Sequence, residues 1–120
     1  MRFFILVFSY TLWLFAVPSP YEMGKKLYFS KGCNGCHGIN AGGTNLYPPL
    51  AYRRKAFLEY KLKRLRSKQG DTQLAQMMIP FAMALNDTQI DQLTTFLSEF
   101  HEQSKKKYAP DDSNTGDGSS

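Results

Sequence analysis

Cys33-Asn34-Gly35-Cys36-His37 brings together two cysteines, which are the only two in the 120-residue chain, and one of its two histidines. Thiols three residues apart can add to the two vinyl groups of one porphyrin, with the neighbouring imidazole placed beneath the iron, and C-x-x-C-H is the attachment motif for c-type haem. Three other chemistries use the same residues. A thioredoxin-like redox pair stands in a βαβ setting, which the pattern here lacks. A zinc site needs two further ligands, for which only the distant His101 and scattered carboxylates remain. A disulfide across so short a span gains little and leaves His37 without a role. Two cysteines also exclude a multi-bridge scaffold. A second group of soft side chains follows at Met77, Met78 and Met83, each a soft donor or a polarizable core filler.

The elements that must position these groups read as helices. A first helix is expected from Pro20 to Ser30, with Ser19 as N-cap, Pro20 at N1 and Glu22 completing a capping box, and Met23, Leu27 and Tyr28 facing inward. Gly32, Gly35, Gly38, Gly42, Gly43, Pro48 and Pro49 mark a long loop to residue 50, too polar to pack against itself and expected to wrap something. A second helix runs from Arg54 to Ser67, with Leu58, Leu62 and Leu65 on one face and Gly70 as its closing C′ residue. Met77-Met78-Ile79-Pro80 reads as a loop, because proline disfavours a helical Ile79. The last helix starts at an Asn86/Gln89 capping box and carries the stripe Ile90, Leu93, Phe96, Leu97 and Phe100. No alternating strand pattern appears, so the fold class is all-α.

Hydrophobic residues make up 42% and charged residues 21% of the chain, which excludes whole-chain disorder and bounds it to one domain. Met1 and Arg2 precede fifteen uncharged residues, Phe3 to Val17, on the border between a secretory signal and a membrane helix. Residues 1–17 are therefore read as a signal peptide or N-terminal membrane anchor, residues 20–103 as the functional domain and residues 104–120 as a disordered polar tail. The domain left after these ends is small, and a covalent cofactor would help it fold. The formal charge is +5, and between Pro20 and Lys107 fourteen Lys and Arg stand against seven Asp and Glu. That surplus points to an acidic partner or an anionic membrane, and export argues against nucleic acid.

Taken in order, these signals resemble class I cytochromes c, in particular the small single-haem bacterial carriers, over residues 20 to 100. Gly24-Lys-Lys-Leu-Tyr28 matches the glycine–aromatic first helix of that family, and Cys33 to Gly38 its haem motif. Tyr47-Pro48-Pro49-Leu50-Ala51 is similar to its P-x-L-A segment. Met78-Ile-Pro-Phe-Ala82-Met-Ala-Leu85-Asn-Asp87 is similar to its M-x-x-x-A-x-x-L-S-D pattern, with Asn86 where serine is usual.

The resemblance implies three to five helices around one covalently bound haem c, with Cys33 and Cys36 as thioethers, His37 as proximal and Met78 as distal iron ligand. It implies that the Pro48 carbonyl accepts the free ring N–H of His37, and that Phe96 packs on Gly24. It leaves no tryptophan to bond a propionate, since Trp13 lies in the leader. The implied function is one-electron transfer in a respiratory chain without chemistry on a small-molecule substrate. A cytochrome bc complex would be the donor, and a terminal oxidase or peroxidase the acceptor, met through a basic face in the periplasm. Two alternatives remain at this point: a haem-based sensor with a labile Met78, and a haem-free thiol or copper-handling protein.

Overall fold

The computed structural model describes residues 16–100, and all of its regular elements are helices: α1 Pro20–Ser30, α2 Asn34–His37, α3 Lys55–Arg66, α4 Gln73–Met83 and α5 Asp87–Ser98. The expected all-α class is what the described residues show. His101, the polar tail, and the leader apart from Ala16 and Val17 lie outside them.

Helix starts follow local chemistry. Ser19 Oγ accepts from Glu22 N at 3.2 Å, with Pro20 at N1 where its missing N–H costs nothing. Asn86 and Gln89 form a full capping box, each side chain bonded to the other's backbone N–H at 2.8 and 3.0 Å.

α1 crosses α5, and this crossing is the centre of the domain. Gly24 is buried there, and a methyl group on it would overlap the Gln92 carbonyl oxygen and lie 2.8 Å from Phe96 Cβ. Glycine is thus the residue that allows the two backbones to touch. Phe96, fully buried, meets Tyr21 edge-on at 5.2 Å, Tyr28 at 5.6 Å and Phe100 at 5.5 Å. Such ring pairs contribute about 0.5–1.5 kcal/mol each beyond the area they bury. α3 packs against both α4 and α5. Arg66, near its end, donates to the Leu85 carbonyl at 3.2 Å and to Asp87 at 2.6 Å, which fixes the corner between α4 and α5. The same guanidinium holds the Asp87 carboxyl below its ordinary range.

Three sequence expectations are corrected. First, the methionine segment is helical: α4 runs through Met77, Met78 and Ile79 with Pro80 inside it. Thr72 caps its start, accepting from Ala75 N at 3.0 Å. Proline inside a helix costs about 3 kcal/mol. Here it stands on the exposed side three residues before the helix ends, and packing of α4 on α3 holds the turn. Second, the loop after Ser30 contains the single turn α2 and does fold on itself. Backbone bonds run from Gly43 N to His37 O, Leu50 N to Ala41 O and Thr44 N to Tyr47 O, each at 2.8 Å, and the side chains of Asn40 and Thr44 accept from Gly42 N at 3.0 Å and from Leu46 N and Tyr47 N at 3.3 Å. Third, α3 is closed by Lys68 rather than Gly70. Lys68 N bonds Leu65 O and Gln69 N bonds Arg64 O, both at 2.9 Å, a Schellman closure with Lys68 at φ +63°.

Two outcomes follow for stability. Gly24→Ala lowers the unfolding free energy by about 1–3 kcal/mol, since neither the Gln92 backbone nor Phe96 has room to retreat. Unchanged thermal unfolding would contradict the crossing. Lys68→Gly raises stability by about 1 kcal/mol, because the left-handed conformation no longer penalises a side chain. A denaturation midpoint at or below that of the parent would contradict the closure.

Candidate haem site

α2 is one helical turn, and its spacing places its reactive groups together. His37 N bonds Cys33 O at 3.0 Å, so Cys33, Cys36 and His37 stand at i, i+3 and i+4 on one side of the turn. Cys33 is half-buried and Cys36 exposed, and both are free thiols. Burial pushes the Cys33 thiol above its ordinary value. That is the reverse of the depressed thiol of a redox catalyst. No group of three or more His, Cys, Asp or Glu gathers among the described residues, so the zinc reading finds no further ligands there.

His37 is buried, with 5% of its surface exposed, and its Nδ1 lies 2.9 Å from the Pro48 carbonyl oxygen. A carbonyl only accepts, so Nδ1 carries the hydrogen and Nε2 is left as the basic nitrogen of the ring. The Pro48 expectation therefore holds as geometry. The Tyr47 ring stands edge-on to the imidazole at 6.4 Å.

Two features that fix this arrangement were missed in the sequence. Gly43 has φ +72°, and a side chain there would overlap the Tyr47 carbonyl and meet Pro49 N at 2.6 Å, so glycine lets the loop close over His37. In the sequence it is one glycine among many loop markers. Tyr28 faces inward as expected, and its hydroxyl, for which the sequence gives no partner, donates to the Gly38 carbonyl at 2.5 Å. Burial holds that phenol far above its ordinary value, so it remains a donor. The available signal was its phenol, since a buried tyrosine hydroxyl requires a partner.

His37 and Cys33 line an apolar cleft together with Met78, Leu50, Leu62, Leu85, Leu93 and Leu97. Met78, Phe81, Ala82 and Leu85 reach it from α4 and the turn after it, at i, i+3, i+4 and i+7. Of the three methionines, Met78 is half-buried on the cleft, whereas Met77 and Met83 are 56% and 50% exposed and do not line it. Cys36 is not among the lining residues, and Lys31 stands at the cleft.

The donor set suits haem c. An apolar cleft carries one imidazole with a free basic nitrogen, one thioether from a different helix, and a thiol pair on the turn that bears the imidazole. No curated protein matches the chain. A family model described as Cytochrome c matches residues 21–100. That match spans all five helices and the cleft between them: the chain belongs to the cytochrome c family and is a haem c-binding electron-transfer protein.

Proposed function

We propose that this protein is an exported monohaem carrier that passes single electrons along a respiratory chain, with His37 and Met78 as its axial ligands. The observation that carries this reading is the convergence of His37 from α2 and Met78 from α4 on one apolar cleft. Bound haem c supplies a one-electron ferrous–ferric couple, and a His/Met ligand pair raises its potential into the range useful for carriers. Cys33 and Cys36 provide the two thioethers. The His37 N–H, held by Pro48, fixes the ring orientation and strengthens Nε2 as a donor. The leucines of α3, α5 and the Leu50 segment keep water from the cleft. His37 and Met78 together would occupy the iron and leave no open site for dioxygen or peroxide, which suits a carrier better than a catalyst.

Export rests on the uncharged run Phe3–Val17, as a signal peptide or a retained anchor, and places the domain in the periplasm. The proposed partners are a cytochrome bc complex as donor and a terminal oxidase or peroxidase as acceptor. A net charge of +5 and Lys31 at the cleft favour acidic docking surfaces and fast, salt-sensitive encounters.

Met78→Leu tests the ligand assignment. A Met-to-Leu exchange in a core costs less than about 1.5 kcal/mol, so the variant folds. Carbon monoxide is expected to leave the ferrous spectrum of the parent, Met77→Leu and Met83→Leu proteins unchanged at neutral pH and to shift that of Met78→Leu. A Met78→Leu protein that resists carbon monoxide contradicts the assignment. A parent protein that binds it readily replaces the carrier with a haem-based sensor.

A further inference from the structure

α3 has two faces of different chemistry. Leu58 is buried, Leu62 and Leu65 are half-buried, and Leu62 lines the cleft. About a third of a turn round the helix, Phe57, Tyr60, Lys61 and Arg64 fall at the spacing of one continuous stripe, with Arg53 and Arg54 just before its start. Its rings are open to solvent, with Tyr52 just before the helix 59% exposed, Tyr60 55% and Phe57 38%. Cations lie against them: Arg53 and Lys61 at 5.9 and 5.7 Å from the Phe57 ring centre, and Arg64 at 5.7 Å from that of Tyr60. From Arg53 to Lys68 there are eight Lys and Arg and a single acid, Glu59, which lies 3.7 Å from Lys55. Arg64 pairs with Asp71, whereas Arg54 and Lys61 enter no ion pair among the described residues.

A merely solvated face has no use for three exposed rings interleaved with cations. None of the stripe residues lines the cleft, to which α3 contributes Leu62, so a redox partner seated here would not meet it directly. We infer that the Tyr52–Arg64 stripe docks on an anionic lipid surface, leaving the cleft free for electron exchange. Tyrosine sits at headgroup level with its ring in the apolar boundary and its hydroxyl in water, while arginine and lysine meet lipid phosphates.

A series of ring contacts runs from the start of the stripe through the core to the first turn of α1. Tyr52 N bonds the Leu97 carbonyl at 2.9 Å and the Tyr52 ring meets Phe100 at 5.8 Å. Phe100 meets Phe96 at 5.5 Å, and Phe96 meets Tyr21 in the first turn of α1 at 5.2 Å. This ladder of rings connects the stripe to the point where the uncharged Phe3–Val17 run joins the domain. Lys105–Lys107 follow Phe100 in sequence. The inference goes beyond the carrier reading and does not depend on which residues ligate iron.

Hydroxyl-radical footprinting of the full-length, haem-loaded protein tests it, read at Tyr52, Phe57 and Tyr60 by mass spectrometry. The samples are vesicles of phosphatidylcholine alone, equimolar phosphatidylcholine and phosphatidylglycerol vesicles, and soluble polyglutamate. The three rings are expected to be protected on the anionic vesicles and not on the neutral ones, with protection falling at high salt as charges are screened. Arg54→Gln/Lys61→Gln is expected to weaken the protected state on the order of 30-fold, at about 1 kcal/mol per basic residue. Lys25→Gln/Lys26→Gln, with the same change in charge on α1, is expected to leave it intact. Equal labelling on both kinds of vesicle overturns the inference, as does protection that survives Arg54→Gln/Lys61→Gln. Protection by polyglutamate without protection by anionic vesicles also overturns it and assigns the stripe to an acidic protein instead. The reduced spectrum is recorded separately, so failure of this surface is distinguishable from failure of the carrier reading.

Discussion

The hydrogen bond from His37 Nδ1 to the Pro48 carbonyl, 2.9 Å long, is the interaction on which the rest of the site depends. A buried imidazole without a partner would rotate or change tautomer, and either change moves its basic nitrogen. The segment between Gly38 and Pro48 has few side chains with which to hold that carbonyl in place. Backbone bonds hold it, from Gly43 to His37 and from Leu50 and Ala51 to Ala41, together with local bonds to the Asn40 and Thr44 side chains, with Ala41 fully buried and glycine at position 43 where a side chain would collide. Tyr28 ties the arrangement to α1 through the Gly38 carbonyl. The orientation of the His37 imidazole is thus a property of a folded loop rather than of one residue.

Around this clamp, the helices supply a frame that keeps the two sides of the cleft apart at a fixed geometry. The Gly24 contact brings α1 and α5 together, α2 follows directly from the end of α1, and Arg66 secures the corner from which α4 presents Met78. If His37 and Met78 are the ligands as proposed, such a frame would spare a one-electron carrier any movement of them as the charge on the iron changes. The proposed lipid-facing stripe on the outer side of α3 leaves this frame and the mouth of the cleft untouched.

Much of this was legible where local chemistry decides the outcome. The C-x-x-C-H spacing, the caps at Ser19 and Asn86, and the glycine at position 24 each express a constraint acting within a few residues or a cost that needs a reason. Elements decided by distant packing were not. Pro80 argues locally against a helix at Ile79, yet α4 runs through it because packing on α3 outweighs one lost bond. Gly70 is the better residue for a left-handed position, but the register of α3 on the core puts Lys68 there. The Tyr28 hydroxyl and the φ of Gly43 depend on where a loop returns, which composition does not express. Met78 was separable from Met77 and Met83 only by resemblance, and the structure distinguishes them by burial against the cleft.

The most direct test of the central claim is the absorption spectrum of the protein, made with its export and haem-attachment machinery, recorded oxidised and dithionite-reduced before and after acid extraction. The account predicts a sharp reduced α band that remains with the polypeptide through acid extraction, because Cys33 and Cys36 hold the haem covalently. Haem lost to the acid phase, or no haem spectrum at all, would contradict it and leave the two cysteines as ordinary thiols.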